Sequence, residues 1–240
     1  MPTNLFDLIR NLFTGGNKIP NTNIERKTFT PFNLEAYIAR QQQEALEKVP
    51  TLERMFGTDF PAFFYRHRMK YPLSDELLYQ LDLLGPEAVS LDNPHWKDKH
   101  PFNFPGPFYT GITDTCGSGE SEAPYNTLFD PEGKEYVFRQ PQNYVELICL
   151  INAGVVEIYD GYSCNGNNHW TYSACRQWWS IRGDLINSLN SPEFREKNGG
   201  REQRYIDYLN TTAENDLRKY CYFLENYSYP KNEKVALPPL

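Results

Sequence analysis

The sequence predicts an α+β fold, with a helical N-terminal region followed by a small sheet with flanking helices. Three observations carry this. Helix caps, apolar residues at three- and four-residue spacing and helix stops recur through residues 1–84. Five prolines (86, 94, 101, 105 and 107) then interrupt the chain across residues 85–107. Only after Phe108 do short β-branched and aromatic runs separated by turn residues occur. The organisation read from this is a helical region at 1–84, a proline-rich connection at 85–107, and an α+β unit at 108–230 that ends in a long helix.

The elements follow in order. Residues 4–13 place Leu5, Phe6, Leu8, Ile9, Leu12 and Phe13 on one helix face. Asn33 is suited to cap a helix through Leu34, Tyr37, Ile38, Leu46 and Val49, with Pro50 marking its end. Thr58 or Asp59 before Pro61 suits the first turn of a helix carrying Phe63, Phe64 and Met69. Ser74 is placed to cap a helix over 75–84, with Gly85 past its end. The connection, which holds His95, Trp96 and His100, reads as a linker or an ordered loop lying over the surface.

In the second unit, Thr127-Leu128-Phe129 and Tyr136-Val137-Phe138 flank Asp130-Pro131-Glu132-Gly133, a strand–turn–strand signal. Pro141 is expected to start a helix through Val145, Leu147, Ile148 and Ile151 that Gly154 ends. Residues 155–159 read as a strand. Thr171 suits the cap of a helix near whose end Trp178 and Trp179 lie about 100° apart, so that one faces the core and the other does not. Ser191-Pro192-Glu193 opens a short helix stopped by Gly199-Gly200, and one long helix is expected over 201–227. The residues after Pro230 read as frayed.

Composition bounds the function. The 240 residues are 40% hydrophobic and 15% aromatic, enough for a sizeable core. With 24 Lys and Arg against 31 Asp and Glu, the net charge is -7. Phosphate recognition needs a basic patch, and the densest basic run is Arg66, His67, Arg68 and Lys70, so nucleic acid is not the expected partner. The most apolar later segment, 145–159, is broken by Glu146, Asn152 and Glu157, so no membrane partner is expected. The odd number of cysteines, five, with no secretory signal apparent, points to reduced thiols in a cytoplasm.

Two loops concentrate the chemistry-bearing residue types. The first is Asp114-Thr115-Cys116-Gly117-Ser118-Gly119-Glu120, and the second is Gly161-Tyr162-Ser163-Cys164-Asn165-Gly166-Asn167-Asn168-His169-Trp170. Cys116, Cys164, His169 and Cys175 are the types zinc accepts, but no C-x-x-C pair pre-organises two of them, and no metal or cofactor is expected. A thiol enzyme would use Cys116 as nucleophile, His169 as base and Asp114 or an Asn as orienter. The glycines around Ser118 lack a Gly-x-x-x-x-Gly-Lys pattern and read as a turn.

The run Pro105-Gly106-Pro107-Phe108-Tyr109, then Asp114-Thr115-Cys116, Ala123-Pro124, Glu135-Tyr136-Val137-Phe138-Arg139-Gln140-Pro141, Gly161-Tyr162-Ser163-Cys164, Asn168-His169-Trp170-Thr171 and Trp178-Trp179 carries a resemblance. Over residues 105–179 the chain resembles a family of small, uncharacterised bacterial proteins that sometimes carry the label ferredoxin. The label fails on chemistry, because an iron–sulfur cluster needs four thiolates in closely spaced sets. Where that family shows acids in the second loop, this chain has Asn167 and Asn168, which weakens a cation-binding role. In class and composition these proteins are similar to the small acidic immunity proteins of bacterial toxin systems.

That resemblance, the acidic charge and the aromatic content together favour a non-enzymatic protein-binding protein, most concretely an immunity or inhibitor protein that sequesters one protein partner such as a basic toxin domain. Its expected contact residues are Tyr109, Asp114, Cys116, Tyr162, Asn165, Asn168, His169 and Trp170, with tyrosine or tryptophan exposed on the two loops. The alternatives are the thiol-dependent enzyme using Cys116 and a structural subunit of a larger assembly.

Overall fold

Asn33 opens the first described helix as its side chain suggests, its Oδ1 accepting the Ala36 N–H 3.0 Å away. The computed structural model describes residues 33–65, 91 and 95–240. The expected helices over 4–13 and 75–84, Met69 and the basic run at 66–70 lie outside the described residues.

Helix α1 spans Leu34–Phe56 and runs through Pro50, which does not end it as expected. The missing proline N–H releases the Leu46 carbonyl, on a turn whose side chain is half exposed to water, and Leu52 and Phe56 pack into a core beyond it. Gly57, with φ 89°, terminates α1. Asp59 then caps α2, Phe60–Phe64, by accepting the Ala62 N–H. Tyr144 ties the two together, donating its hydroxyl to the Gly57 carbonyl while Phe60 meets its ring edge-on.

Of the described part of the connection, residues 97, 98 and 101 are exposed as a surface loop would be, but the end of it is not. Residues 103–110 are all buried, because the side chain of Asn103 supplies backbone-like hydrogen bonds that let the chain pass through the interior. Its Oδ1 accepts the N–H groups of Thr110 and Val137, and its Nδ2 donates to the carbonyls of His100 and Thr110. Gln140 does the same for the Phe108 N–H and the carbonyls of Phe104 and Phe108, so a Cβ on Gly106 would collide with it.

Strand β1, Tyr109–Thr110, follows, then the short helix α3, Ser118–Glu122, and the hairpin β2, Thr127–Phe129, with β3, Glu135–Val137. The hairpin has the predicted turn: Gly133 takes φ 86°, and Asp130 Oδ1 accepts the Lys134 N–H. Leu128 lies opposite Tyr136 and both enter one core, while Val137 points into the other, as a two-residue period requires. Strand β4, Tyr162–Ser163, pairs antiparallel with β1.

The two small sheets are joined by side chains rather than by a backbone ladder. Thr110 Oγ1 donates to the Glu135 carbonyl, Thr113 Oγ1 accepts the Glu135 N–H, and Asn103 holds Val137. On the far edge of β2, Asn198 accepts the Phe129 N–H and donates to its carbonyl, which closes that edge against further pairing.

Helix α4, Tyr144–Val156, is capped by Asn143, not begun by Pro141, and passes through Gly154. That glycine is there for close approach: a Cβ on it would strike Leu91 and crowd Tyr162. Residues 155–159 are therefore not a strand, since 155 and 156 finish the helix, Glu157 is buried just past it, and Ile158 and Tyr159 form an exposed turn. Helices α5 (Tyr172–Ser180), α6 (Arg182–Leu189), α7 (Pro192–Asn198), α8 (Gln203–Asn210) and α9 (Ala213–Asn226) complete the order. Thr171 and Ser191 cap α5 and α7 as predicted, and Gly199 at φ 59° stops α7. Trp178 is buried and Trp179 only partly so. The expected single long helix is broken at Thr211-Thr212, where Thr211 leaves helical geometry and its hydroxyl returns to the Asp207 carbonyl.

These elements form an α+β fold with two cores on either side of the hairpin. Helices α1, α2 and α4 fill one, with Phe108, Val137 and Tyr162. Helices α5–α9 fill the other, with Phe104, Tyr136 and Trp170. The residues after Pro230 do not fray, because Arg218 and Tyr172 hold the carbonyls of residues 237–239. Among the described residues no helix is long and apolar enough to cross a membrane.

Candidate protein-binding site

The two loops singled out in the sequence do meet. Pairing of β1 with β4 starts the contact, the Gly111 N–H donates to the Gly161 carbonyl, and the Gly166 N–H donates to the Pro107 carbonyl. A Cβ on Gly166 would overlap the Gly106 carbonyl, so this approach requires glycine.

Glu157, buried at the end of α4, locks the junction. Its Oε1 accepts the Asp114 N–H at 2.7 Å, and its Oε2 accepts those of Tyr159 and Gly161 at 3.1 and 2.5 Å. One carboxylate thus fixes both loops, with Asp160 held at φ 54°, a conformation aspartate tolerates better than most residues. This turn lifts Ile158 and Tyr159 into solvent, where they are 70% and 62% exposed. Ile112 is 53% exposed, and its backbone carbonyl packs against Gly161, just past that turn.

Ile112 also lies on the rim of an open groove of about 520 Å³ walled by Lys99, Phe102, Glu132, Lys134 and Phe194. His100 and Asp130 line it as a hydrogen-bonded pair, Nε2 to Oδ2 at 3.1 Å. His100 Nδ1 accepts the Phe102 N–H, so Nε2 carries the proton and neither nitrogen is available as a base. Burial alone would raise the Asp130 carboxyl, but the bonds from His100 and the Lys134 N–H outweigh it and hold the group below its ordinary range. The pair is a structural latch.

The structure distributes the predicted contact residues differently from the expectation. Tyr109 and Tyr162 are fully buried, and Trp170 nearly so. Each tyrosine hydroxyl finds an internal acceptor, Tyr109 on Asn165 at 2.7 Å and Tyr162 on Glu135 at 2.8 Å. Trp170 meets Trp96 edge-on, with the Lys99 ammonium 4.9 Å from its ring centre. Burial lowers the Lys99 pKa from its ordinary value. Asp114 and Asn165 are buried, His169 stacks on Trp96 at 4.7 Å, and only Cys116 and Asn168 are exposed.

The surroundings of Cys116 disfavour its thiolate. The Asp114 carboxylate beside it, with Glu135 and Glu157 further off, pushes its thiol up from the ordinary value. His169 is engaged with Trp96 instead. Cys175 hydrogen-bonds Cys221 in the second core, and among the described residues no three His, Cys, Asp or Glu side chains are grouped to hold a metal ion.

Sequence reasoning missed Ile112, Glu157, Ile158 and Tyr159. Reading 155–159 as a strand hid the last three, although Asp160-Gly161 is itself a turn signal. No family model, curated protein or solved structure matches the chain.

Proposed function

We propose that the protein is a non-enzymatic binding protein that engages one protein partner through Ile112, Ile158, Tyr159 and the adjoining groove. The observation that carries this reading is the exposed apolar turn held rigid by a buried carboxylate. A turn fixed before binding loses little entropy when a partner covers it. Partly exposed aromatic and branched side chains beside a pocket are the features of interface anchors. Of the neighbouring titratable groups, Glu157, His100 and Asp130 are committed to structural hydrogen bonds.

The most concrete form of the reading is an immunity or inhibitor protein of the bacterial cytoplasm that sequesters a basic toxin domain. The net charge of -7 would speed encounter with such a partner. The family resemblance over residues 105–179 supports the same class by analogy. The test is co-purification with the toxin domain encoded beside its gene, comparing the natural chain with one carrying Ile158→Asp and Tyr159→Ala. The expected result is a one-to-one complex that silences the toxin and is lost in the double variant while its thermal unfolding is unchanged. A variant that binds and protects as well as the natural chain would overturn the assignment of this surface.

A further inference from the structure

The segment Leu237-Pro238-Pro239-Leu240 lies across the packed pair α5 and α9, held there by side chains. Two adjacent prolines fix their own φ near the polyproline value, bias the residue before each of them to extended geometry, and leave the segment's carbonyls as its main polar handles. Three successive carbonyls are taken. Arg218 Nη2 donates to that of Leu237 and Nε to that of Pro238, both at 2.9 Å, so the planar guanidinium grips neighbouring peptide units as a fork. Tyr172 donates its hydroxyl to the Pro239 carbonyl at 2.6 Å.

Leu240 packs with the same apolar cluster as Tyr172 and Trp179 and borders an open cavity of about 490 Å³ along α5. Those ring walls are backed by cations, with Arg176 5.7 Å from the Tyr172 ring centre and Arg182 4.4 Å from that of Trp179. On the other side of the fork, Leu237 and Val235 line a cavity of about 310 Å³ against α9.

We infer that the Tyr172–Arg218 cleft is a recognition site for proline-rich peptide segments of a partner protein, and that the chain's own Leu237–Leu240 fills it in cis. The contacts engage the carbonyls of Leu237, Pro238 and Pro239 and the side chain of Leu240, which any peptide of the form x-Leu-Pro-Pro-Leu presents in the same extended geometry. An aromatic-lined groove that takes a preformed polyproline helix is a recurring mode of peptide recognition. The tethered copy acts as a competitor at an effective concentration on the order of millimolar, so weaker peptides in trans are shut out until it is displaced. This site is separate from the Ile158 surface and does not depend on it.

The test titrates a fluorescent peptide of residues 235–240 into the full chain and into a full-length variant carrying Leu237→Gly, Pro238→Gly, Pro239→Gly and Leu240→Gly. Circular dichroism checks that the variant is folded. The peptide is expected to bind the glycine variant at least about tenfold more tightly than the natural chain. Adding Arg218→Ala, or the milder Tyr172→Phe, should weaken that binding, as should alanine at both proline positions of the peptide. Equal binding with and without Arg218→Ala would overturn the proposal. So would a natural chain that elutes as a dimer the glycine variant dissolves, since the segment would then be exchanged between copies.

Discussion

Replacing Glu135 with glutamine should flatten one part of the protein's pH–stability profile by a predictable amount. The carboxyl is fully enclosed between β3, α3 and β4. It accepts the Tyr162 hydroxyl at 2.8 Å and the Glu120 N–H at 3.1 Å. Burial raises its pKa, the two hydrogen bonds oppose that, and the carboxylates of Asp114 and Glu157 add to it, leaving the group at about 7 instead of 4.5. A group raised in the folded state holds its proton more tightly there than in the unfolded chain. Its stabilising contribution is therefore complete below 4.5 and is lost as pH rises to about 7, after which it is constant. The whole difference converts to about 3 kcal/mol, most of which falls between pH 5 and 8.

Glutamine suits the site, because its carbonyl takes the Glu120 N–H and its amide can donate to the Tyr162 oxygen. Urea unfolding of both proteins at fixed ionic strength, from pH 5 to 8, isolates the effect as the difference between two curves. The natural protein should lose about 2–3 kcal/mol relative to Glu135→Gln over that range. Parallel curves would refute the reasoning. A natural protein that gains on the variant as pH rises would mean that Tyr162 and the Glu120 N–H stabilise an ionised carboxylate.

Two further predictions concern the same region. Asn103→Ala should lower stability by about 3–5 kcal/mol in chemical denaturation, because it strands the buried N–H groups of Thr110 and Val137 at the join between β1 and β3, while the carbonyls of His100 and Thr110 keep only their backbone donors. Alkylation of the native protein should modify Cys116 and spare the four buried cysteines. Its rate should be below that of a free thiol at pH 7 and climb only in alkaline solution, read by mass spectrometry against time.

What the sequence made legible was local. Asn33, Asp59, Thr171 and Ser191 cap helices through bonds three residues away, and the Asp130–Gly133 turn closes on itself. Each such element was readable from a few adjacent residue types. The errors lie where a distant partner decides. Gly154 looks like a helix stop, yet it admits Leu91 and Tyr162 to the helix surface. The proline-rich connection looks like a surface linker, yet from residue 103 on it is buried, with Asn103 and Gln140 satisfying its backbone from inside. Tyr109, Tyr162 and Trp170 were the natural choices for a recognition surface because such side chains carry a polar end. The acceptors for the two tyrosines stand 56 and 27 residues away, which no local pattern shows.

The same physics links this architecture to the proposed role. Strands of two or three residues make too few ladder bonds to hold a sheet by themselves. Asn103, Gln140 and Asn198 replace the missing ladder, and Glu157 extends the scheme to the loop junction. Irregular backbone is thereby fixed with little regular pairing, and these four polar side chains are consumed in fixing it. Ile112, Ile158 and Tyr159 remain outside that network, exposed on a support that cannot easily relax. A surface of that kind favours tight, slowly dissociating recognition, because the partner meets anchors already in place. Loosening the support through Glu157→Ala should therefore weaken binding to the proposed partner even though the anchors themselves are untouched, and binding that survives this change at full strength would show that rigidity contributes nothing to recognition.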